Sequence, residues 1–271
     1  MNIRASMLPG YNDCTRRAVA KQYKRKFQKL GYEFRELAPS VGSSVGTAVH
    51  ISTAELDKAL WRGEKPNLSV AVDMAVTALV EELSTGCTWD DTTPNMNTAQ
   101  LQIQRMTECY TPIMPLTVNG EPAVEIGGEM GLQADCGDGW ILTGHPDLID
   151  ANGFLLDKKT GAKMRPYQGQ FGGYSLLVRS NKIIKQLSGV GMLYIARMGK
   201  TKHQTPPVLQ SYGVALCERE AMGTIHRIKS DMALFDSNGD LNKAFPCNQS
   251  SMMCTPKYCP AFGTDFCELT K

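Results

Sequence analysis

GHPDLIDANGFLLDKKTG, residues 144–161, is the most informative segment of this 271-residue chain. Two apolar runs flank the dipeptide Asn152-Gly153, which favours the tight turn of a β-hairpin. We therefore predict two strands, one within 140–149 and one over 153–158. Because a hairpin lays its two strands side by side, the residues at the strand ends are expected to be neighbours in the fold.

Three of these end residues carry chemistry. Asp147 lies at the end of the first predicted strand, and Asp157 and Lys159 lie at the end of the second. Residues two apart in a strand project from the same face, so two carboxylates and one ammonium should converge. Carboxylate oxygens bind hard cations such as Mg²⁺ or Mn²⁺, and a lysine can stabilise charge on a phosphoryl group. The trio fits a metal-dependent hydrolase of phosphodiesters; a solvated, salt-bridged hairpin explains the same residues without chemistry.

Further motifs lie on either side of the hairpin. In chain order, the segments are GTAVH (46–50), GHPD (144–147), DKK (157–159) and QFGGY (170–174). This series resembles the PD-(D/E)xK nuclease superfamily, in particular its RecB-like and Cas4-like exonucleases, which carry GxxxH, GxxD, DxK and QxxxY motifs in this order. The resemblance covers nearly the whole chain. It implies one α/β (α+β) nuclease domain over 1–271, with a restriction-endonuclease-like central mixed β-sheet flanked by helices.

The resemblance also implies a role for each motif residue. His50, Asp147 and Asp157 would bind Mg²⁺ or Mn²⁺, Lys159 would be the catalytic lysine, and Gln170 and Tyr174 would steer the DNA strand and orient the site. The implied activity is a metal-dependent DNA exonuclease acting on single-stranded ends in recombination, repair or replication, with a helicase or recombination protein as a further partner. A structure-specific endonuclease with a zinc centre and a non-catalytic DNA-binding module remain as alternatives.

The nine cysteines are distributed unevenly. Cys247, Cys254, Cys259 and Cys267 fall within 247–271, in a tail too short and irregular to hold itself together. The resemblance implies a [4Fe–4S] cluster on Cys14, Cys254, Cys259 and Cys267, joining the two ends of the chain. Zn²⁺ suits the same four thiolates, Cys247 is a possible replacement for one ligand, and unligated cysteines are the third alternative. The remaining cysteines are expected to be buried small apolar residues: Cys87, Cys109, Cys136 and Cys217.

Charge is also uneven, although the net charge is only +2. Nine basic residues lie between Arg4 and Arg35, opposed by Asp13 and Glu33 alone. A basic helix beside a nuclease site would contact DNA phosphates, and a solvated helix face is the alternative. The residues proposed for DNA binding are Arg16, Arg17, Lys21 and Lys24, together with Gln170 and Tyr174.

The remaining sequence predicts a helical N-terminal part (1–115), a nuclease core (116–235) and a Cys-rich tail (243–271). Helices are expected over 10–30, 46–61, 68–83, 99–113, 166–180 and 218–235, strands over 122–133, 190–198 and 208–216, and a Gly/Ser loop over 39–46. No apolar run reaches about 18 residues and no signal peptide is apparent, so we expect a cytoplasmic protein that does not contact a membrane.

Overall fold

The computed structural model describes residues 1–84 and 86–267. Within these residues the chain forms β-sheets flanked by α-helices, which confirms the expected mixed α/β (α+β) class. Thr85 and residues 268–271, the latter at the end of the predicted tail, lie outside the described residues. No helix in the described ranges is both long enough and apolar enough to cross a membrane.

The strands are short except at the centre of the largest sheet. They are β1 (Asn2–Arg4), β2 (Thr117–Val118), β3 (Glu121–Pro122), β4 (Leu132–Asp135), β5 (Ile141–Gly144), β6 (Leu148–Ile149), β7 (Phe154–Gly161), β8 (Gly189–Ala196) and β9 (Val208–Tyr212). The helices are α1 (Leu8–Asp13), α2 (Thr15–Gln22), α3 (Lys24–Gln28), α4 (Val41–Trp61), α5 (Leu68–Leu83), α6 (Met96–Glu108), α7 (Gln168–Ser180), α8 (Val214–Asn238) and α9 (Leu241–Ala244). A 3₁₀ turn over Ala5–Met7 precedes α1.

The largest sheet has the strand order β6-β7-β8-β9. β6 and β7 form the predicted hairpin, and Gly153 in its turn has φ +77°, a conformation that glycine adopts without strain. β7 and β8 are parallel and β9 is antiparallel to β8. β7 is buried along most of its length, because helices cover it on one face and the rest of the core covers the other.

The strand predicted over 140–149 is interrupted in the structure. β5 belongs to a smaller sheet with β1 and β4, whereas β6 belongs to the largest sheet, and His145–Asp147 lies between them. Pro146 explains the break, since proline has no N–H to donate to a strand ladder. The chain therefore passes from one sheet to the other at Asp147.

Helices α4, α5 and α6 pack together around their own apolar core, which includes Val45, Leu79 and Ile103. The prediction for α5 (68–83) is confirmed in both boundaries. The predicted 39–46 loop is wrong: α4 begins at Val41, because the Ser40 side chain accepts a hydrogen bond from the Ser43 amide and caps the helix.

The predicted helix over 10–30 is also wrong as a single element. It consists of α1, α2 and α3, which are separated by Cys14 and Tyr23. Cys14 has extended backbone angles (φ −151°, ψ 106°), so the chain changes direction there. The face containing Val19, Tyr23 and Phe27 is buried as expected, whereas Leu30 is exposed.

Other element boundaries differ from the sequence predictions by several residues. The proposed strand over 122–133 is irregular until β4, because Glu125, Gly127, Gly128 and Gly131 all have positive φ. Helix α6 covers 96–108 instead of 99–113, and α8 covers 214–238 instead of 218–235. Gly239 ends α8 in the left-handed conformation typical of a helix C-terminus.

The C-terminal tail packs against the N-terminal helices in one core that extends from Ile3 to Cys267. The ring of Phe266 lies 4.8 Å from that of Phe27 and 4.9 Å from that of Phe34, measured between centroids. Aromatic contacts of this kind contribute beyond their buried area. The irregular tail is therefore held by the N-terminal helices and not by secondary structure of its own.

Candidate active site

A cleft of about 610 Å³ lies between α4 and β7. Its walls include polar or charged residues from three separate parts of the chain, namely His50, Lys58, Glu125, Lys159 and Thr160. It is the place where the predicted site residues meet.

The glycine of the GTAVH motif allows α4 to approach β7 closely. A Cβ atom at Gly46 would lie only 2.7 Å from Oγ1 of Thr160, so a side chain at this position would force the helix away from the strand. One helical turn later, His50 points into the cleft, and its Nδ1 lies 3.4 Å from Oδ2 of Asp147. The spacing of the motif therefore follows from helix geometry and from the close helix–strand contact.

Asp147 is held in the break between β5 and β6. Its side chain is buried, and Oδ2 accepts a 2.7 Å hydrogen bond from the backbone N–H of Lys158 on the neighbouring strand. The hairpin thus orients the carboxylate directly, as the sequence predicted, although Asp147 lies outside the regular part of either strand.

Glu125 is a site residue that the sequence analysis missed. The amide of Glu125 donates to the Asp147 carbonyl (2.9 Å), and that of Ile126 donates to the Pro146 carbonyl (3.0 Å), so this segment runs alongside the strand break. Ligand atoms of His50, Glu125 and Asp147 all lie within 4.8 Å of one another, the spacing expected around a metal ion. The sequence contains one indication of this role: Glu125 is a carboxylate placed between two apolar residues, Val124 and Ile126.

The backbone of Glu125 is strained. Its φ is +51°, in the left-handed region that costs a non-glycine residue about 1–3 kcal/mol. Such strain persists where the surrounding structure imposes it, and it is concentrated at functional sites. The strain supports a functional reading of Glu125 independently of its distance from Asp147.

Asp157 and Lys159 lie on the same face of β7, as strand alternation predicted. Nζ of Lys159 is 2.6 Å from Oδ2 of Asp157, and Oδ1 of Asp157 accepts a 3.3 Å hydrogen bond from Nε2 of Gln170. Oδ2 is fully buried, and the ion pair with Lys159 is not aligned as a hydrogen bond. A carboxylate oxygen has two lone pairs, so Oδ2 can interact with the Lys159 ammonium and still accept a further partner.

The QFGGY motif lies on α7, and its Gln170 holds the Asp157 carboxylate by a hydrogen bond. Nε2 of Gln170 also donates to the hydroxyl oxygen of Tyr174 (2.9 Å), one turn further along the helix. The glycine of the GHPD motif makes room for this contact, because a Cβ at Gly144 would lie 2.8 Å from the Tyr174 ring. Gln170 and Tyr174 are both buried, so the structure places them against Asp157 and not on an exposed DNA-binding face.

The electrostatics of the site indicate an excess of negative charge. Burial, followed by the charge of Asp147, raises the pKa of Glu125 to about 7. Burial also raises the pKa of Asp147, and it raises that of Asp157 to about 6. Burial and the nearby Lys159 ammonium lower the pKa of His50 to about 4, so the imidazole is neutral and has a free lone pair at neutral pH.

Lys159 keeps its charge in this environment. Burial alone would lower its pKa, but Asp157 and Asp147 outweigh this effect and raise it. The ammonium also lies 5.1 Å from the centre of the Tyr167 ring, a cation–π contact that helps to hold it. A fixed positive charge thus stands at the edge of a group of buried carboxylates.

A second missed group lies on the opposite face of β7. The Lys158 ammonium is buried, 2.6 Å from Oδ2 of Asp57 on α4 and 5.0 Å from the centre of the Tyr110 ring. Asp57 also accepts hydrogen bonds from the Tyr110 hydroxyl and from the Ile113 amide, each 2.8 Å long. Because alternation turns Lys158 away from the face of Asp157 and Lys159, it reaches α4 and anchors the strand that carries those two residues to the helix that carries His50.

Five cysteines surround a small pocket between α1, α2 and the tail. They are Cys14, Cys247, Cys254, Cys259 and Cys267, and Arg16 and Arg17 line the same pocket. The structure thus brings the four predicted ligands together and adds Cys247.

Burial raises the pKa of the Cys247, Cys254 and Cys259 thiols, that of Cys259 to about 11. Of the other four cysteines, only Cys217 is fully buried, so the expectation for Cys87, Cys109 and Cys136 is only partly met.

The proposed DNA contact by Arg16 is wrong, because its guanidinium is buried. Its nitrogens donate to the backbone oxygens of Phe245 (2.6 Å), Phe266 (2.6 Å) and Leu241 (2.8 Å), which fastens the tail to α2. Arg17 is also buried and pairs with Asp13 at 3.2 Å. Neither arginine can present its charge to a polyanion without unpacking the tail.

The other two predicted DNA contacts differ from each other. Lys24 is half-buried and pairs with Glu36 at 2.5 Å. Lys21 is exposed and remains available for contact with a partner. The basic segment of the sequence is therefore largely used within the fold.

Comparisons with known proteins give little beyond the fold. No protein-family model matches this chain, and the search of curated proteins gave no significant match. Among solved structures, a protein from Eubacterium rectale named "Putative exonuclease" is similar over 88% of this chain and 82% of its own, with a TM-score of 0.46 and 14% sequence identity. At this level of similarity, function has to be inferred from the residues of this chain.

Proposed function

We propose that this chain is a metal-dependent deoxyribonuclease that degrades DNA from single-stranded ends, in recombination, repair or replication. One observation carries the proposal: the motif residues between 46 and 174 form one contact group beside a cleft, in the order of the RecB-like and Cas4-like exonuclease pattern. Gly46, His50 and Lys159 line the cleft. Asp147 contacts His50, Asp157 contacts Lys159, and Gln170 contacts Asp157. The shared core of the N-terminal helices, the sheets and the tail supports a single nuclease domain over 1–271.

The donor set fits a divalent cation. Ligand atoms of His50, Glu125 and Asp147 lie within 4.8 Å of one another, and the His50 imidazole is neutral. Asp157, the third predicted ligand, is not in this group, and its carboxylate pairs with Lys159. Hard oxygen ligands suit Mg²⁺ and Mn²⁺, and the imidazole suits Mn²⁺ better. The raised pKa values of Glu125 and Asp157 also favour cation binding, because burial makes their negative charge costly and a bound cation would offset it.

A bound Mg²⁺ or Mn²⁺ would supply charge neutralisation on the phosphoryl oxygens and activation of water. The protein supplies the geometry. Lys159 presents its ammonium where negative charge develops on the phosphoryl group, and Asp157 fixes the direction of that ammonium. Gln170 and Tyr174 hold Asp157 in one orientation from the helix behind it.

A labelled-DNA assay tests this proposal. With Mn²⁺, the purified protein is expected to shorten linear single-stranded DNA progressively and to leave circular single-stranded DNA intact; with EDTA it should do neither. Cutting of the circle would favour the endonuclease alternative. Binding without any degradation in Mg²⁺ or Mn²⁺ would favour the non-catalytic module.

We further propose that Cys14, Cys254, Cys259 and Cys267 hold a [4Fe–4S] cluster. Five thiols around one pocket support a thiolate-bound metal centre, and the two arginines beside them would offset part of the thiolate charge. Such a centre would tie the bend at Cys14 to the tail. The set of thiols suits zinc as well, so the metal has to be identified by experiment.

Protein prepared without oxygen is expected to be brown, with absorption near about 400 nm, and to contain iron and acid-labile sulfide. Serine at Cys14, Cys254, Cys259 or Cys267 should remove this absorption, whereas Cys109→Ser, outside the pocket, should retain it. Cys247→Ser shows whether this fifth thiol is a ligand. Colourless protein with one equivalent of zinc would disprove the cluster.

A further inference from the structure

One long segment of the chain carries no acidic residue. Between Lys158 and Cys217 there is no Asp and no Glu. The same segment contains seven lysines and three arginines, namely Lys158, Lys159, Lys163, Arg165, Arg179, Lys182, Lys185, Arg197, Lys200 and Lys202. Its basic residues are therefore not balanced by acidic residues of the same segment, whereas the N-terminal basic segment contains Asp13 and Glu33.

The loops that carry most of these charges lie at the two ends of the central strands of the largest sheet, which we call its two edges. Since β7 and β8 are parallel, the loops that follow them, 162–167 and 197–207, leave from the same edge. The first loop carries Lys163 and the second carries Lys200 and Lys202; all three side chains are exposed. We call these three lysines the basic edge.

Lys182 and Lys185 precede β8 and therefore lie at the opposite edge. Their neighbour Ile184 confirms this position, because its Cδ1 is 3.0 Å from where a Cβ of Gly153 would lie, in the hairpin turn before β7. β7 has eight residues, so the two edges are roughly 26 Å apart. Exposed lysines thus lie at both edges: three at the basic edge and two, Lys182 and Lys185, at the opposite one.

The basic edge adjoins the active-site cleft. A second cleft, of about 530 Å³, contains Lys200, Lys202, Asn95 and Thr98 in its walls. Thr160 lines the active-site cleft and Ala162 lines this second cleft, so they are two residues apart on one strand end. Ala162 lies three residues after Lys159, which corresponds to roughly 10 Å of extended chain at about 3.3 Å per residue.

The second cleft is held in shape by the side chains of Arg197 and Arg105, whose contacts do not involve the side chains of Lys200 and Lys202. Arg197 is buried and pairs with Asp90 (2.9 Å), and it packs against Gly42 at the start of α4. Nη1 of Arg105 donates to the Lys200 carbonyl (3.0 Å), which holds the loop. Within 1–84 and 86–267, no salt bridge involves Lys163, Lys200 or Lys202, and Asp91 is the acidic residue in the wall of this cleft.

We propose that the basic edge binds the backbone phosphates of a single-stranded nucleic acid and carries the strand past the active site. The inference rests on the proposed nuclease function and replaces the N-terminal helices as the site of strand binding. These lysines form no salt bridge within 1–84 and 86–267, and they lie beside a polar cleft whose wall begins two residues from that of the active-site cleft. Such an arrangement complements a chain of phosphates.

Binding of a fluorescent 20-nucleotide oligo-dT, followed by anisotropy in EDTA across a salt series, tests the proposal. For Lys200→Ala/Lys202→Ala we expect about tenfold weaker binding, and a slope of log affinity against log salt that is smaller by about 1.4, at about 0.7 per lost phosphate contact. Lys182→Ala/Lys185→Ala removes the same charge from the opposite edge and should bind like the wild type. Lys21→Ala/Lys24→Ala should also bind like the wild type.

Hydrolysis of thymidine 5′-(p-nitrophenyl phosphate) with Mn²⁺ separates this inference from the proposed function. The Lys200/Lys202 variant should hydrolyse this small substrate at the wild-type rate, because the substrate does not reach the basic edge. An unchanged salt slope in that variant, or an equal loss in the Lys182/Lys185 variant, would overturn the inference. If the wild type hydrolyses neither substrate, the proposed function fails, while the EDTA binding data still decide the inference.

Discussion

Asp157→Asn is expected to lower the rate of Mn²⁺-dependent DNA hydrolysis by about 1,000-fold, which corresponds to about 4 kcal/mol of transition-state stabilisation. The substitution keeps the shape of the side chain and removes its charge. It also removes the group that directs the Lys159 ammonium, 2.6 Å away, and one oxygen available to a cation. Steady-state rates on labelled linear DNA measure the loss, and calorimetric titration with Mn²⁺ in the absence of DNA should show weaker binding.

Asp138→Asn is the matched control. Asp138 is exposed, lies in a turn at φ +55°, and pairs with Lys229 at the surface. Asparagine tolerates this left-handed conformation as well as aspartate does, so the control makes the same chemical change away from the cleft. Its activity should equal that of the wild type. An Asp157→Asn enzyme that retains more than a tenth of the wild-type rate, with unchanged Mn²⁺ affinity, would contradict the assigned role.

Asp57→Ala is expected to destabilise the protein by about 3–5 kcal/mol, because it leaves the Lys158 ammonium buried and unpaired. For a chain of this size the melting temperature should fall by about 10 °C. The Tyr110 hydroxyl and the Ile113 amide lose their acceptor in the same variant. Thermal and urea unfolding of the wild type and the variant measure the effect.

The double variant Asp57→Leu/Lys158→Met tests the reason for that loss. Replacing both buried charges with apolar side chains of similar size should recover part of the stability, since no unpaired charge remains, although the Tyr110 hydroxyl and the Ile113 amide still lack their acceptor. Glu36→Ala is the control at a surface ion pair with Lys24, and exposed pairs contribute only about 0–1 kcal/mol. If the double variant is as unstable as Asp57→Ala, the cost lies in packing and not in the unpaired charge.

Local sequence signals correctly predicted part of the geometry around the candidate site. The Asn152-Gly153 turn predicts the hairpin because few dipeptides adopt its backbone angles, and period-two alternation correctly places Asp157 and Lys159 on one face. The same alternation should have indicated that Lys158 points the other way, into the core. Its partner Asp57 lies 101 residues away in the chain, and no local pattern relates two such positions.

Glu125 and the N-terminal arginines show the limit of such signals. Glu125 enters the site because its backbone bonds to Pro146 and Asp147, and local propensity contains no information on that pairing. The cluster of basic residues around Arg16 has the composition of a DNA-binding helix. The tail covers it and uses the guanidinium as a donor to its own carbonyl groups, a contact between residues 229 or more apart.

The amino-acid sequence alone determined which residue types carry the chemistry, the order of the motifs, the hairpin and the lengths of the best helices, because these depend on neighbours within a few positions. The tertiary structure alone decided which charges are free. Lys200 and Lys202 stay exposed at a sheet edge, whereas Arg16 and Lys158 are buried with partners from distant segments. The physical reason is that the free energy of a charge depends on its desolvation and its partners, and long-range packing sets both.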